Sequence, residues 1–395
     1  MILELHILQN FAPSNLNRDD TNAPKDCIFG GHRRARISSQ CIKRSVRRHE
    51  SFADKIKSGG GDIGVRTKRL KSRLSSILVN DYQKDTEISD KVASLIIGLI
   101  GLKLKDPEKT EYLLYFGENE ISELAQIGNA HWDILSVESE KLMNSVKSED
   151  GKKKKKSKTL NEELKPVEAA FKGVIGKSRT ANHSYAADIA LFGRMVADDK
   201  NMNVDAACQM AHALSTHKVD MEMDYYTAVD DLLPEDSSGS DMIGTVEFNS
   251  SCFYRYANID LKKLSENLGS ANKDLLLSTV KGFVEASIKA VPTGKQNSMA
   301  AQNPPEYARV LIRNDGFPWS LANAFQKPVR AGRDVSIEEA SVEALESYFN
   351  KLSKAYGSEG VICDETMNLI KEKGSLEDLV TSVSDVLNNK TGGVK

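Results

Sequence analysis

The five cysteines of this 395-residue chain, Cys27, Cys41, Cys208, Cys252 and Cys363, form no Cys-x-x-Cys pair, and no two lie closer than 14 residues. An odd, scattered set excludes the usual zinc spacings and a disulfide framework, and fits small buried hydrophobes in a reducing compartment. The first residues, Met1–Gln9, carry Glu4 and no basic cluster, so they do not form a secretory signal. Long apolar runs are lacking too. The longest, Val92–Leu102, is about half of what a membrane helix needs and suits a buried helix. A soluble, cytoplasmic protein is expected. There is no Gly-x-Ser-x-Gly, no P-loop and no His-Glu-x-x-His, which removes the commonest hydrolase, nucleotide and metalloprotease signatures. His212 and His217 are five apart, off one helical face and without a third ligand, so structural roles are expected for both.

Net charge is also small, at −2, yet its distribution is uneven. From Lys25 to Arg48 there are eight Lys or Arg against one Asp, a local +7 that leaves −9 for the remainder. A basic segment on an acidic body steers a polyanion to one surface.

With 40% apolar and 28% charged residues, the composition is globular, and the length favours two or three lobes. Ile2–Leu8 alternates as a strand, with Leu3, Leu5 and Ile7 on one face. Gln9–Gly31 lacks periodicity and is expected to be a long loop. From about Glu50 to Pro166 the spacing is mainly helical, as in Arg69–Leu78, Lys91–Leu104 and Ile121–Leu142. Asp205 is expected to cap a helix bearing Ala207, Met210, Ala211 and Leu214. Gly244–Asp260 alternates as a strand, and with Val219–Asp230 across the polar turn Pro234–Asp241 it predicts a projecting hairpin. Helices near Leu261–Val291 and Ile337–Tyr356 and a strand at Val310–Ile312 complete an α+β organisation.

Ser38 or Ser39 caps the basic helix, which is expected to reach about His49. Gln40, Lys43, Arg44 and Arg47 share one face, while Ile42 and Val46 share another that packs on a sheet. The polar face offers donors along about 10 Å, with Arg33, Arg34 and Arg36 leading in and Gly30-Gly31 allowing close backbone approach. Such a row suits phosphates better than base edges. An amphipathic helix with a solvated charged face would show the same pattern. Asp19, Asp20 and Asp26 beside it could hold a divalent metal or act as a base, although loop aspartates more often make turns or pair with arginines. Tyr225, Tyr226 and Met195 could wedge between bases, or belong to the core. The tract with Lys152–Lys156 and Lys158 is a solvated loop or a phosphate-touching arm.

The run Leu16-Asn17-Arg18-Asp19-Asp20, Lys25-Asp26, Phe29-Gly30-Gly31 and Arg36-Ile37-Ser38-Ser39-Gln40, ending Lys43-Arg44, resembles the CasC family. That family is the guide-RNA-binding backbone subunit of the type I-E CRISPR Cascade complex. Similarity continues through Asp188–Met195, Ala211-His212-Ala213, Thr216-His217, Thr227–Asp231, Phe253–Asn258 and Ala322–Phe325. Between Ser51 and Lys177 little of it continues, and the lysine tract is not a family feature.

The resemblance implies a modified RRM (ferredoxin-like) palm from 1–50, 178–215 and 244–395. It further implies a helical finger insertion at 51–177 with a Lys-rich loop at 151–158, and a β-hairpin thumb at 216–243. Family members line up along a CRISPR RNA, kink it with the thumb and present its bases to target DNA. By this resemblance Lys25, Ser38, Gln40, Lys43 and Arg47 contact the guide backbone, with Arg18, Arg36 and Arg44 beside them. Met195, Tyr225, Tyr226 and Thr227 sit at the kink, although other members carry different aromatics in place of the Tyr-Tyr pair. The implied partners are crRNA, target DNA through the guide, further copies of the chain and the other Cascade subunits. Those are the large and small subunits, the subunit that binds the five-prime handle and the crRNA-processing endonuclease. No cofactor and no catalysis are expected. The alternative is metal-dependent cleavage of target RNA through Asp26, as in related type III subunits.

Overall fold

The computed structural model describes residues 1–147, 162–175, 185–196, 199–228, 242–270, 272–314 and 317–391. The lysine tract at 151–158 and the hairpin turn at 234–241 lie outside them. Eleven strands occur among the described residues. They are β1 (Ile2–Ser14), β2 (Asp26–Phe29), β3 (His32–Ile37), β4 (Gly64–Thr67), β5 (Leu114–Gly117), β6 (Cys208–Met210), β7 (Ala213–Ser215), β8 (Glu222–Ala228), β9 (Met242–Asp260), β10 (Tyr307–Arg313) and β11 (Val361–Asn368). The chain forms two compact units, one of residues 1–55, 208–262 and 277–395, the other of 56–207 and 263–276. The stretch 178–215, expected in the palm, is thus divided after Ala207.

The first unit is built on an antiparallel sheet in the order β11-β10-β1-β9-β7-β3-β2, with β6 and β8 also paired to β9. Taking β1, β7, β9 and β10 with a helix after β1 and another after β9 gives the ferredoxin-like βαββαβ order. Leu3, Leu5 and Ile7 alternate inward on β1 as their spacing requires. Ile42 of the helix Ser39–Arg48 and Ser287 of the helix Lys273–Lys289 border the Leu5–Ile7 side of the sheet.

The opposite side of the sheet is also covered. Leu8, Tyr254, Tyr256 and Leu311 pack with Trp319, Phe325 and Val342, Leu345 and Phe349 of the helix Ile337–Tyr356. This is the side on which an ordinary RRM stacks bases, and here it is filled. Glu4 and His6, trapped beneath, are both hydrogen-bonded, while His6 Nε2 and Arg313 Nη2 are buried with no hydrogen-bond partner among the described residues. Glu4, fully buried, accepts from Arg313 Nε (2.5 Å), the Trp319 N–H (2.5 Å) and Tyr256 Oη (2.9 Å). His6, fully buried, bonds Tyr254 Oη at 2.8 Å. Burial, reinforced by Arg309 and Arg313, lowers the His6 pKa from 6.5 to about 3. The unfolded chain therefore takes up a proton below pH 6.5 that the folded chain refuses until about pH 3. The His6 contribution to stability is full above pH 6.5 and is lost on acidification at up to about 1.4 kcal/mol per pH unit across that window. Urea midpoints near neutrality and near pH 5 measure this fall, and in His6→Gln its His6 share disappears.

Two expectations from periodicity are corrected. The segment Gln9–Gly31 is not one loop: β1 continues to Ser14, and β2 and β3 form a hairpin turning at Gly30-Gly31. Both glycines have positive φ, +60° and +78°, as a tight two-residue hairpin turn demands. The close backbone approach at Gly30 is to the Gln326 carbonyl, which any Cβ would strike. The helix expected after Asp205 is instead β6 and β7. Cys208 pairs with Ile259 and Leu214 with Tyr254, so the ladder along β9 overrides local helical spacing.

The second unit is helical, with a two-stranded β4–β5 sheet. Helices Leu70–Asn80, Thr86–Leu99, Glu118–Ala130 and Lys165–Val174 contribute Leu74, Ile96, Leu124 and Phe171 to one core. Its buried ion pair joins Arg194 Nη1 to Glu120 at 2.8 Å, and Arg194 also donates to the carbonyls of Met202 and Tyr115. No helix among the described residues is long and apolar enough to cross a membrane.

Candidate nucleic-acid interface

The helix Ser39–Arg48 starts where expected. Ser38 has extended backbone, and its hydroxyl accepts the Cys41 N–H at 3.3 Å. The Asn17 side chain in turn accepts the Ser38 N–H at 2.8 Å, which ties the helix start to the segment after β1. Ile42 and Val46 are buried. Gln40 and Arg44 are exposed, and Lys43 and Arg47 half-buried. Ser38, itself buried, serves as the cap.

Around this helix the flanking cations converge. Lys25 is held by its N–H to the Asn17 carbonyl (2.9 Å) and by its carbonyl, which accepts the Arg36 N–H (2.8 Å). It lies close enough to act electrostatically on Asp19, Cys41 and His212. Arg36 donates Nε to the Asp26 carbonyl at 3.1 Å and Nη1 to His212 Nδ1 at 3.1 Å. Arg18 is exposed and bonds Asn22 at 3.4 Å. Arg18 and Arg44 line one open cleft together with Asn17, Ser45, Thr293 and Gly294. Nothing local marks the 293–294 loop for this place, because neither residue is charged and both lie far along the chain.

Not every cation of the segment serves this surface. Arg34 is fully buried, and its guanidinium donates to the carbonyls of Ser215 (3.0 Å), Thr216 (2.9 Å), Phe325 (2.7 Å) and Gln326 (3.3 Å). Its expected place in a lead-in to phosphates is corrected: it is a structural strut. Arg33 is bound to the Asp26 carboxylate. Asp19 accepts from the Thr21 N–H, the Thr21 hydroxyl and the Ala23 N–H, which lowers its pKa. It closes a turn, as short polar loop residues do. Among the described residues no three His, Cys, Asp or Glu side chains gather as a metal site would need.

The two histidines part ways. His217 accepts the Cys252 N–H at 3.3 Å and bonds the Lys218 carbonyl, a structural role as expected. His212 is exposed beside Arg36, so the structural role expected for it is replaced by a place at the basic surface.

β8 pairs with the first residues of β9, Glu222 opposite Phe248 through Ala228 opposite Met242. Its residues are all exposed. The tyrosines differ. Tyr226 faces Gly244 and lays its ring where a Cβ would sit, while Tyr225 opposite Thr245 projects with 62% of its surface exposed. Thr227 lies opposite Ile243. In the second unit Met195 is 88% exposed. It stands between buried Arg194 and Val196, whose N–H donates to Asn203 Oδ1 at 2.6 Å, so an apolar side chain is presented on a braced backbone.

A family model for CT1975-like proteins matches residues 3–387. A search of curated proteins finds no match. Among solved structures, a chain described as "CRISPR RNA-guided surveillance complex, pre-nicking" is 28% identical over 98% of this chain and 100% of its own, with a TM-score of 0.76. A second, described as "CRISPR RNA-guided surveillance complex", is 24% identical over the same shares, with a TM-score of 0.66, a likeness of fold alone.

Proposed function

The chain belongs to the CT1975-like (Cas) family, and from that membership we propose that it is an RNA-binding subunit of a CRISPR RNA-guided surveillance complex. The observation that carries this is the single basic surface on which Arg18, Lys25, Arg36 and the helix Ser39–Arg48 meet. Its groups are point charges and forks set on ordered backbone, suited to a row of phosphates. The sheet side that would read bases is filled by Trp319, Phe325 and the helix Ile337–Tyr356, which favours a protein that holds a backbone and leaves sequence to base pairing.

In finer terms the chain is the backbone subunit of a type I-E complex, and copies of it line up along the crRNA. Gln40, Lys43, Arg44 and Arg47 hold phosphates, and Ser38 sets the helix start. Tyr225 is the better of the two tyrosines to displace a base, because Tyr226 is spent on Gly244. Met195 is the second wedge, and target DNA meets the displayed bases. The large and small subunits, the five-prime-handle subunit and the processing endonuclease are its companions.

The subunit is non-catalytic in this proposal. Asp26, which the cleaving alternative needs, is engaged by Arg33. Co-expression with a guide and its companions, followed by purification, is expected to yield protein carrying RNA of guide length. Incubating that complex with complementary RNA and magnesium is expected to leave the RNA whole. Regularly spaced cuts, abolished in Asp26→Ala, would establish the cleaving alternative instead. Protein free of nucleic acid would overturn the RNA-binding proposal itself.

A further inference from the structure

His212 lies in the two-residue step between β6 and β7, directly before Ala213, which pairs with Ile37 at the entry to the basic helix. The neighbouring Ala211 N–H is fixed to the Tyr256 carbonyl at 2.9 Å, so the imidazole is carried on ordered backbone. Its Nδ1 is 3.1 Å from Arg36 Nη1. A guanidinium has no acceptor, so Nδ1 must be the acceptor and the ring must be neutral with its proton on Nε2. That leaves an exposed Nε2–H donor on the same surface as Lys25 and Arg36.

We infer that His212 is a proton-gated member of the RNA-backbone site, resting on the function proposed above. Neutral, it clamps Arg36 through Nδ1 and offers one weak donor to a phosphate. Protonated, Nδ1 becomes a donor, the clamp on Arg36 opens, and His212, Arg36 and Lys25 all turn their charge to the same anion. The charges that face the ring are Arg36 from β3 and Lys25 from the segment before β2. The Asp26 carboxylate is taken up by Arg33, and the first turn of the basic helix carries no acid. β6 and β7 contribute only uncharged neighbours, Gln209 to Ala211 and Ala213 to Ser215. In the free protein burial and these two cations lower the His212 pKa. A bound phosphate offsets the cations and restores the proton, so RNA binding takes up a proton and tightens as pH falls.

The test is the affinity of the full chain for a labelled single-stranded RNA oligonucleotide at about pH 6 and about pH 8, at fixed ionic strength. Wild type is expected to bind several-fold tighter at the lower pH, within the limit of about tenfold per pH unit for one proton. His212→Gln keeps an acceptor for Arg36 and is expected to bind with the weaker, pH-independent affinity. His212→Lys, permanently charged, is expected to bind tightly at both values. His212→Gln retaining the full pH dependence, or wild type binding equally at both values, would overturn the proton gate and leave RNA binding standing. Wild type binding no RNA at either pH would remove the backbone site, and the gate with it.

Discussion

Alanine at Lys25, Lys43 and Arg44 together weakens single-stranded RNA binding by on the order of a hundredfold or more at moderate salt, equally for every sequence. Three cations leave one surface, and each lost phosphate contact removes about 0.7 of a unit from the slope of log K against log salt. The slope should therefore flatten by about two units. Uniform loss across sequences follows from contacts to phosphate, which carry no base identity. Salt titrations of binding to two unrelated oligonucleotides measure both quantities. Removing Lys351 and Lys354, exposed on the helix Ile337–Tyr356, changes net charge without touching the site and should leave the slope alone. A slope that flattens equally in both variants would mean that binding follows bulk charge, and the basic helix would lose its role.

Arg34→Met lowers folding stability by about 3–5 kcal/mol. The methionine fills much of the volume but leaves four carbonyls, of Ser215, Thr216, Phe325 and Gln326, without their shared donor. Buried acceptors stripped of partners cost about 1–3 kcal/mol each, less where a second donor or water remains. No acidic residue accompanies Arg34 among these partners, so carbonyl dipoles hold its charge, with the Phe29 ring centroid 5.8 Å from the guanidinium. Arg33→Met, one residue away but exposed and paired only at the surface, should cost about 1 kcal/mol or less. Denaturant unfolding of both variants gives the comparison, and similar losses in the two would contradict the strut. Because β3 continues into Arg36 and Ser38, the Arg34 variant should also weaken RNA binding through loss of order.

The contrast between Arg33 and Arg34 shows what sequence can carry. Neighbouring arginines in a basic run look alike, and burial is decided by the 215–216 and 325–326 segments that close over one of them. The basic helix was legible because its period, its cap and its apolar pair are local. β9 and the helix Ile337–Tyr356 were legible for the same reason, each being long and regular. β6 and β7 were not. Three residues each, they exist through pairing with β9, and the spacing of Ala207, Met210, Ala211 and Leu214 favoured a helix. His212 inherited that error: placed on a helix it has no neighbour of note, whereas on the step between strands it meets Arg36. The Thr293–Gly294 wall of the cleft has no local signature, because it comes into place only through tertiary folding.

The filled side of the sheet makes the C-terminal segment a shield. A chain stripped of Trp319, Phe325 and the helix Ile337–Tyr356 would not become a smaller cradle. It would bare Tyr254, Tyr256 and Tyr307 on an open sheet, a surface adhesive to bases and to other chains alike. Under the function proposed above, indifference to guide sequence is something the fold maintains, because its stickiest aromatics are locked away from every base.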